Sequence, residues 1–266
     1  MLKIRNAIFI GILLLSQSVL ANTIDHGLWD QLLKAHVKSV DHGKSTMVDY
    51  QGMANEAVKL NKYLNTLSAV TREQFDILDK QEQLAFLINA YNAWTVKLIL
   101  SGPPDLKSIK DLGSFFSSPW KKEFVALLGD TRSLDDIEHR LIRGSDRYND
   151  PRIHFAVNCA SISCPALKSE AYNGIHLNEQ LMEQTTLFLS NPERNKVEQD
   201  VIKLSSIFKW YREDFEKGWM NYHHLEDFLI NNSASLNLSK KQIEKLKTGD
   251  MDIEFLKYDW RLNKKH

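Results

Sequence analysis

The sequence predicts an α+β fold, a mainly helical single domain with a small antiparallel or mixed sheet. Most apolar residues recur at the three- and four-residue spacing of helices, and only short stretches alternate or look extended. The 266 residues contain no internal repeat, no low-complexity tract and no linker rich in proline, glycine or serine. Residues 22–266 are therefore expected to form one domain with a sizeable core.

The individual elements follow from this periodicity. Apolar spacing and end signals predict helices over residues 28–37, 55–67, 80–100, 134–141, 177–189, 205–215, 224–230 and 240–246. Residues 48–50 are expected to be extended, and residues 123–127 to form a hairpin with a turn at Gly129-Asp130. The helix over 80–100 is apolar nearly all round, which predicts a central, buried position.

The most informative segment holds both cysteines, Cys159 and Cys164, shortly after His154. Residues 152–158 alternate like a strand and then give way to a loop of small residues. Pro165 is typical of the first position of a helix, so a short helix over 165–172 would place Cys164 at its N-terminus. Because a helix N-terminus lowers the pKa of a thiol, Cys164 is the predicted nucleophile and Cys159 its resolving partner or a bystander.

Four interpretations of the two cysteines stay open. A structural disulfide would close a short loop and contribute roughly 2 kcal/mol. The alternatives are a cysteine nucleophile, a reversible redox pair and a metal site. Metal binding is disfavoured because the four-residue gap matches neither a thioredoxin-like motif nor a common zinc knuckle, so we expect no metal and no cofactor.

Polar residues within apolar patterns are further site candidates. Glu138 lies on the apolar face of the helix over 134–141, beside His139. A nucleophilic thiol needs a base, for which His154 and His139 are candidates, and an orienting group, for which Glu138 is one. Asn89 and Asn92 point into the packed interior, where they either bind loop backbone or contact a substrate.

The N-terminus predicts a secretory signal peptide over residues 1–21. Lys3 and Arg5 precede an apolar run, and Val19 and Ala21 stand three residues and one residue before the cleavage point. An uncleaved anchor is the alternative, but the run is shorter than the ~20 residues that span a bilayer. We therefore expect a periplasmic or secreted protein with no stable membrane insertion after cleavage.

Charge gives no indication of a nucleic-acid partner. The chain has 34 lysines and arginines against 34 acidic residues, and loss of Lys3 and Arg5 leaves a slight acidic excess. Its basic pairs are scattered along the chain, whereas a nucleic-acid-binding protein would cluster them on one face.

Several motifs together resemble a known family. They are FLINAYNA at 86–93, LDDIEH at 134–139, DPRIHFA at 150–156, CASISCPAL at 159–167, AY at 171–172, LSSIFKWY at 204–211, DF at 214–215 and YDWRLN at 258–263. Over about residues 29–263 the chain resembles a bacterial exported member of the family called domain of unknown function 547 (DUF547). Ala166 stands where a second proline is frequent in that family.

The resemblance implies a domain but no reaction. It also singles out the polar residues embedded in its motifs, which are Asn89, Asn92, Glu138, His139, Arg152, His154, Cys159 and Cys164. Our leading hypothesis is a thiol-dependent hydrolase or acyltransferase for a peptide-like substrate, with Asn89, Asn92 and Arg152 as substrate-binding residues. The alternatives are a non-catalytic periplasmic binding or scaffolding domain with a structural disulfide, and a thiol-disulfide redox protein. The expected partner is an unknown small-molecule or peptide-like ligand.

Overall fold

The structure is a computed structural model that describes residues 23–114 and 117–265. The predicted signal peptide, residues 1–21, lies outside the described residues. Within the described part of the chain, no helix combines the length and the apolar character needed to cross a membrane.

The described α-helices are α1 (Gly27–His36), α2 (Tyr50–Asn55), α3 (Ala57–Ser68), α4 (Arg72–Asp76), α5 (Lys80–Leu100), α6 (Leu177–Leu189), α7 (Ser206–Trp210), α8 (Leu225–Asn231) and α9 (Lys240–Thr248). Most of them correspond to predicted helices, whereas α2 and α4 were not predicted. A π-helix covers Asp136–Ile142. Short 3-10 helices lie at Asp41–Gly43, Ile109–Leu112, Pro119–Lys121, Arg143–Ser145, Pro151–Phe155, Arg212–Phe215 and Trp219–Asn221.

The strands form small sheets, which confirms the predicted fold class. They are β1 (Val37–Val40), β2 (Ser45–Val48), β3 (Val125–Leu127), β4 (Asp130–Arg132), β5 (Lys196–Glu198), β6 (Val201–Leu204) and β7 (Asp252–Phe255). β1 pairs antiparallel with β2, and β3 with β4 in the predicted hairpin. The third sheet is mixed, because β6 pairs antiparallel with β5 and parallel with β7.

Helix α5 is the centre of the fold, as its apolar periphery predicts. Asp79 caps its N-terminus by accepting a hydrogen bond from the Glu82 amide at 2.8 Å. Nearly every side chain of the helix is buried, against α2, α3, α6 and the π-helix. A helix surrounded in this way fixes the position of every polar side chain that it carries.

Two apolar cores meet at the segment that contains the cysteines. The first core is built around α1, α3 and α5, and the second is a cluster of rings, Phe155, Phe188, Phe208, Phe215 and Phe228. Neighbouring residues of the segment belong to different cores, since Ile153 and Val157 pack in the first and Phe155 in the second. The chain after Phe155 therefore runs along the boundary between the cores.

Two local predictions around the cysteines are wrong. The expected strand over 152–158 begins instead as the 3-10 helix Pro151–Phe155, which Asp150 caps by accepting from the Arg152 amide at 2.9 Å. The expected helix over 165–172 is absent, and a side chain binds a backbone group of this segment instead: the Asn158 carboxamide donates to the Pro165 carbonyl at 2.7 Å. Cys164 is consequently not at a helix N-terminus.

Candidate active site

A pocket of about 220 Å³ lies where the two cores meet. Its lining includes all five residues that the sequence analysis proposed as catalytic, Glu138, His139, His154, Cys159 and Cys164. The other lining residues are mostly aromatic: Tyr91, Trp120, Trp210, Tyr211, Tyr258 and Trp260. The fold thus brings polar side chains from separate segments into one aromatic-walled cavity.

Cys159 is the partly exposed thiol of the pocket. Its Sγ lies 3.1 Å from the Tyr258 hydroxyl and 3.2 Å from the Ser161 hydroxyl. Burial works against the thiolate, but hydrogen bonds from the Cys164 thiol, from Ser161 and from Tyr258 outweigh it and lower the pKa of Cys159 to about 7. The thiolate of Cys159 is therefore more available at neutral pH than that of an ordinary cysteine.

Cys164 has the opposite environment. It is 2 % exposed, and its Sγ accepts a hydrogen bond from the Cys159 backbone N–H. Burial raises the pKa of this thiol well above its ordinary value, and the adjacent Cys159 sulfur raises it further. Both cysteines are free thiols in the structure, so the structural disulfide, one of the four open interpretations, is not formed. The environments favour Cys159 over Cys164 as the nucleophile.

The backbone next to Cys159 is held in an unusual conformation. Ala160 has a φ of 61°, in the left-handed region that residues with a Cβ rarely adopt, at a cost of order 1 kcal/mol. The Asn158 carboxamide maintains this turn by accepting from the Ala160 amide at 2.9 Å. The strain is thus located at the residue that follows the candidate nucleophile.

His154 is paired with a buried carboxylate that the sequence analysis did not select. Its Nε2 lies 2.7 Å from Oδ2 of Asp214, and its ring stacks on Tyr211 with the centroids 4.0 Å apart. A carboxylate only accepts, so Nε2 carries the proton and Nδ1 presents a lone pair, for which no described residue is a partner. Burial lowers the pKa of His154 more than Asp214 raises it, so the ring is a neutral base at pH 7.

Asp214 is held ionised by three cationic or donor groups. Burial opposes its charge, but hydrogen bonds from His154 and Arg143, and Lys217 Nζ at 2.7 Å from Oδ1, keep the pKa of Asp214 well below its usual range. Asp214 belongs to the motif DF at 214–215. Its position among the aromatic residues of 208–215 was the sequence signal that could have identified it as a site residue.

The π-helix presents Glu138 and His139 to the pocket. Glu138 is 5 % exposed, and its carboxylate faces the Tyr211 hydroxyl, whose pKa is raised by burial and by this negative charge. His139 is more open, and Arg143 donates to its Nδ1. Arg143 has no acceptor atoms, so this nitrogen is occupied. Neither histidine hydrogen-bonds to a sulfur among the described residues, but His154 keeps the free lone pair.

The two buried asparagines of α5 bind backbone rather than line the pocket. The Asn89 carboxamide donates to the Tyr172 carbonyl at 2.8 Å and accepts from the Tyr172 amide at 3.0 Å. The Asn92 carboxamide donates to the Ala156 carbonyl at 3.0 Å and accepts from the Asn158 amide at 2.8 Å. Asn92 therefore anchors the chain just before Cys159.

Arg152 lies at a different cavity from the cysteines. It forms a bidentate pair with Asp150 and donates to the Asn178 side chain at 3.0 Å. Its contacts fix the 3-10 helix that carries His154 to the first turn of α6. Within the described part of the chain, no group of three or more histidine, cysteine, aspartate and glutamate residues could hold a metal ion.

The comparisons with known proteins give one family match. The model of the family described as "Protein of unknown function, DUF547" matches residues 75–189, which include Glu138, His139, His154 and both cysteines. Neither a curated protein nor a solved structure matches the chain. The match confirms the predicted DUF547 resemblance over residues 75–189.

Proposed function

Since the DUF547 family, whose model matches residues 75–189, has no reaction in its description, we propose a function from the pocket itself. The proposal is a thiol-dependent hydrolase or acyltransferase in which Cys159 attacks the acyl carbon of a peptide-like amide or ester. The observation that carries it is the state of Cys159, a partly exposed cysteine whose pKa is lowered to about 7 in a pocket that His154 also lines, with its Nδ1 unpartnered among the described residues.

Each chemical step has a residue of this pocket to perform it. His154 accepts the thiol proton at Nδ1, and the sulfur attacks the carbonyl carbon as the carbonyl electron pair moves to oxygen. When the oxygen electron pair re-forms the carbonyl, the carbon–nitrogen bond breaks and the leaving amine takes the proton from His154. A thioester then remains on Cys159. Water then attacks the thioester, giving one proton to His154, and the carboxylic acid leaves as the thiolate is restored. In acyl transfer, an alcohol or amine replaces water.

Neighbouring side chains support these steps. The ionised Asp214 stabilises the positive charge that forms on His154, in the way an aspartate supports a catalytic histidine. Tyr91 lines the pocket, and burial raises the pKa of its hydroxyl well above the ordinary value, so this group stays protonated as a donor for the developing oxyanion. The Asn92 carboxamide is not available as such a donor, because it binds the Ala156 carbonyl and the Asn158 backbone amide.

An activated ester tests the proposal. With p-nitrophenyl acetate, we expect a burst of p-nitrophenolate and an acetyl group mapped to Cys159 by mass spectrometry. Cys159→Ser should abolish the burst, Cys164→Ser should retain it, and His154→Gln should slow it about 100-fold or more. Acetylation of Cys164, or no acetylation of Cys159 under conditions that acetylate the urea-unfolded chain, would contradict the proposal.

The contact between the two thiols favours a second candidate, disulfide exchange. A low pKa at Cys159 and a high pKa at its buried neighbour Cys164 suit a dithiol that exchanges disulfides. Cys159 would attack an external disulfide, and Cys164 would then attack the Cys159 sulfur of the mixed disulfide and release the second external thiol. The two thiols would lose two electrons and two protons, and the external disulfide would become two thiols. A measured reduction potential below about −300 mV would instead identify an inert structural bridge.

We also propose that the protein is exported and acts in the periplasm or outside the cell. The proposal rests on the signal-like sequence of residues 1–21, with cleavage after Ala21. Expression in a secretion-competent bacterium should yield a chain that starts at Asn22 in the periplasmic or extracellular fraction. A chain that retains Met1 or Leu2 in the cytoplasm would contradict the proposal.

A further inference from the structure

We propose that the substrate of this pocket carries a positively charged amino group, held by Glu138 and Asp135 among aromatic rings. The inference rests on the proposed role of Cys159 and adds the charge of the substrate. It draws on three features of the pocket: the sign of its lining charges, the absence of an ion pair at Glu138, and its aromatic walls.

The lining of the pocket has charges of one sign. Its acidic groups are the carboxyl groups of Asp135 and Glu138 and the thiol of Cys159, whose pKa is lowered, and no lysine or arginine is found among the described lining residues. The pocket is therefore negative, which attracts a cation and repels a carboxylate or phosphate.

The cations around the pocket are committed elsewhere. Arg143 binds Asp214 and His139, and Lys217 binds Asp214. Arg140 pairs with Asp136 at 3.1 Å, and Lys110 lies 3.8 Å from the centre of the Trp260 ring. Among the described residues, no lysine or arginine forms an ion pair with Glu138 or Asp135.

Glu138 is the stronger of the two anchors. It is 5 % exposed and forms no ion pair with a described residue; its polar neighbour is the Tyr211 hydroxyl. Arg143 interacts with it only at longer range. A buried carboxylate without a cation is unfavourable, and a ligand ammonium group would supply the missing partner. Asp135 is partly exposed, and its polar neighbour is the His139 ring, whose Nε2 lies 3.7 Å from Asp135 Oδ1.

The aromatic residues provide the remaining contacts that an ammonium ion uses. The Tyr258 and Trp260 ring centroids are 4.4 Å apart, and Trp210 lies 4.8 Å from Tyr258 and 5.6 Å from Trp260. Trp210 is 48 % exposed, although a ring of that size is usually covered. Aromatic faces combined with carboxylates are the chemistry by which proteins recognise ammonium groups. A peptide-like amide or ester with an amino group near its acyl carbon fits this environment.

Charged thiol reagents test the inference without a known substrate. The thiolate of Cys159 attacks a methanethiosulfonate, forming a disulfide and releasing methanesulfinate. We compare the rate of the trimethylammonium-ethyl reagent with that of the sulfonato-ethyl reagent, each divided by its rate with a small free thiol. At low ionic strength the normalised ratio should favour the cation by about tenfold. Glu138→Gln and Asp135→Asn should each lower it several-fold, whereas the exposed Glu244→Gln should not change it.

A binding measurement provides an independent readout. Tetramethylammonium chloride should slow alkylation of Cys159 by the neutral reagent iodoacetamide, and sodium chloride at equal ionic strength should not. A normalised ratio at or below one, with no protection by tetramethylammonium, would overturn the inference while leaving the nucleophile proposal intact. If Cys159 reacts with none of the reagents in the folded protein, the proposed function fails and this inference fails with it.

Discussion

At the residue scale, the environment gives two chemically identical side chains different properties. Cys159 has hydroxyl donors from Tyr258 and Ser161, while Cys164 is enclosed and receives a backbone N–H. Pro165 predicted a helix start that would favour Cys164 as the nucleophile, and that helix is absent. Contacts made after folding, rather than the neighbouring residue, set the pKa of each thiol.

The Tyr258 hydroxyl is expected to help keep Cys159 ionised. Tyr258→Phe removes a donor 3.1 Å from the sulfur, so the pKa of Cys159 should rise from about 7 toward the 8.5 or so of a free thiol. Rates of iodoacetamide alkylation measured against pH report this value directly. Tyr222→Phe, which removes a hydroxyl bound to Asn231, is the matched control and should leave the midpoint unchanged. An unchanged midpoint in Tyr258→Phe would contradict this role.

The buried carboxylate of Asp214 is expected to matter for stability as well as for His154. Asp214→Asn removes the negative charge that Arg143 and Lys217 share, and should lower the free energy of unfolding in urea by about 3–5 kcal/mol. Asp130→Asn breaks an exposed pair with Arg132 and should cost less than about 1 kcal/mol. Equal losses of unfolding free energy in the two variants would contradict the role of Asp214 as the buried partner of Arg143 and Lys217.

Asp214 should also set the acid limit of stability. Its pKa is lower in the folded chain than the unfolded value near 4, so its contribution is full above about pH 4. That contribution is lost as the pH falls further, because the unfolded chain binds the proton first. Unfolding free energies measured from pH 5 downward should therefore decline less steeply in Asp214→Asn than in the natural protein. Parallel declines would contradict this prediction.

At the scale of elements, helices whose bounds depend on the local pattern of apolar residues could be predicted from the sequence. Helices α5 and α6 begin and end where the pattern of apolar residues places them. The strand prediction for residues 152–158 is wrong because their alternation has another cause. Ile153 and Val157 pack in one core, and Phe155 packs in the other. Alternation alone does not distinguish a strand from a 3-10 turn between two cores.

The two asparagines of α5 are expected to have equal structural but different functional importance. Asn89→Ala and Asn92→Ala each leave a buried amide and carbonyl without partners, at a cost of roughly 2–4 kcal/mol in chemical denaturation. Only Asn92 anchors residues 156–158, so only its loss should change the alkylation rate of Cys159 in the folded protein. Equal effects on that rate would refute the distinction.

At the scale of the whole molecule, the site is assembled from distant segments. The family match over 75–189 contains the cysteines, both pocket histidines and Glu138. Asp214, Trp210 and Tyr258 come from the chain beyond it. Their roles could not be predicted, because contacts over 60 and 99 positions depend on how the second core folds against the first.

The central claim is that Cys159 is the reactive thiol, and alkylation of the folded protein tests it most directly. Iodoacetamide labelling across pH 5–10, mapped by mass spectrometry, should modify Cys159 with a midpoint of about pH 7. Cys164 should stay unmodified until urea unfolds the chain, after which both thiols should titrate near 8.5 or so. Faster labelling of Cys164, or a Cys159 midpoint in the folded protein at the unfolded value, would contradict the account.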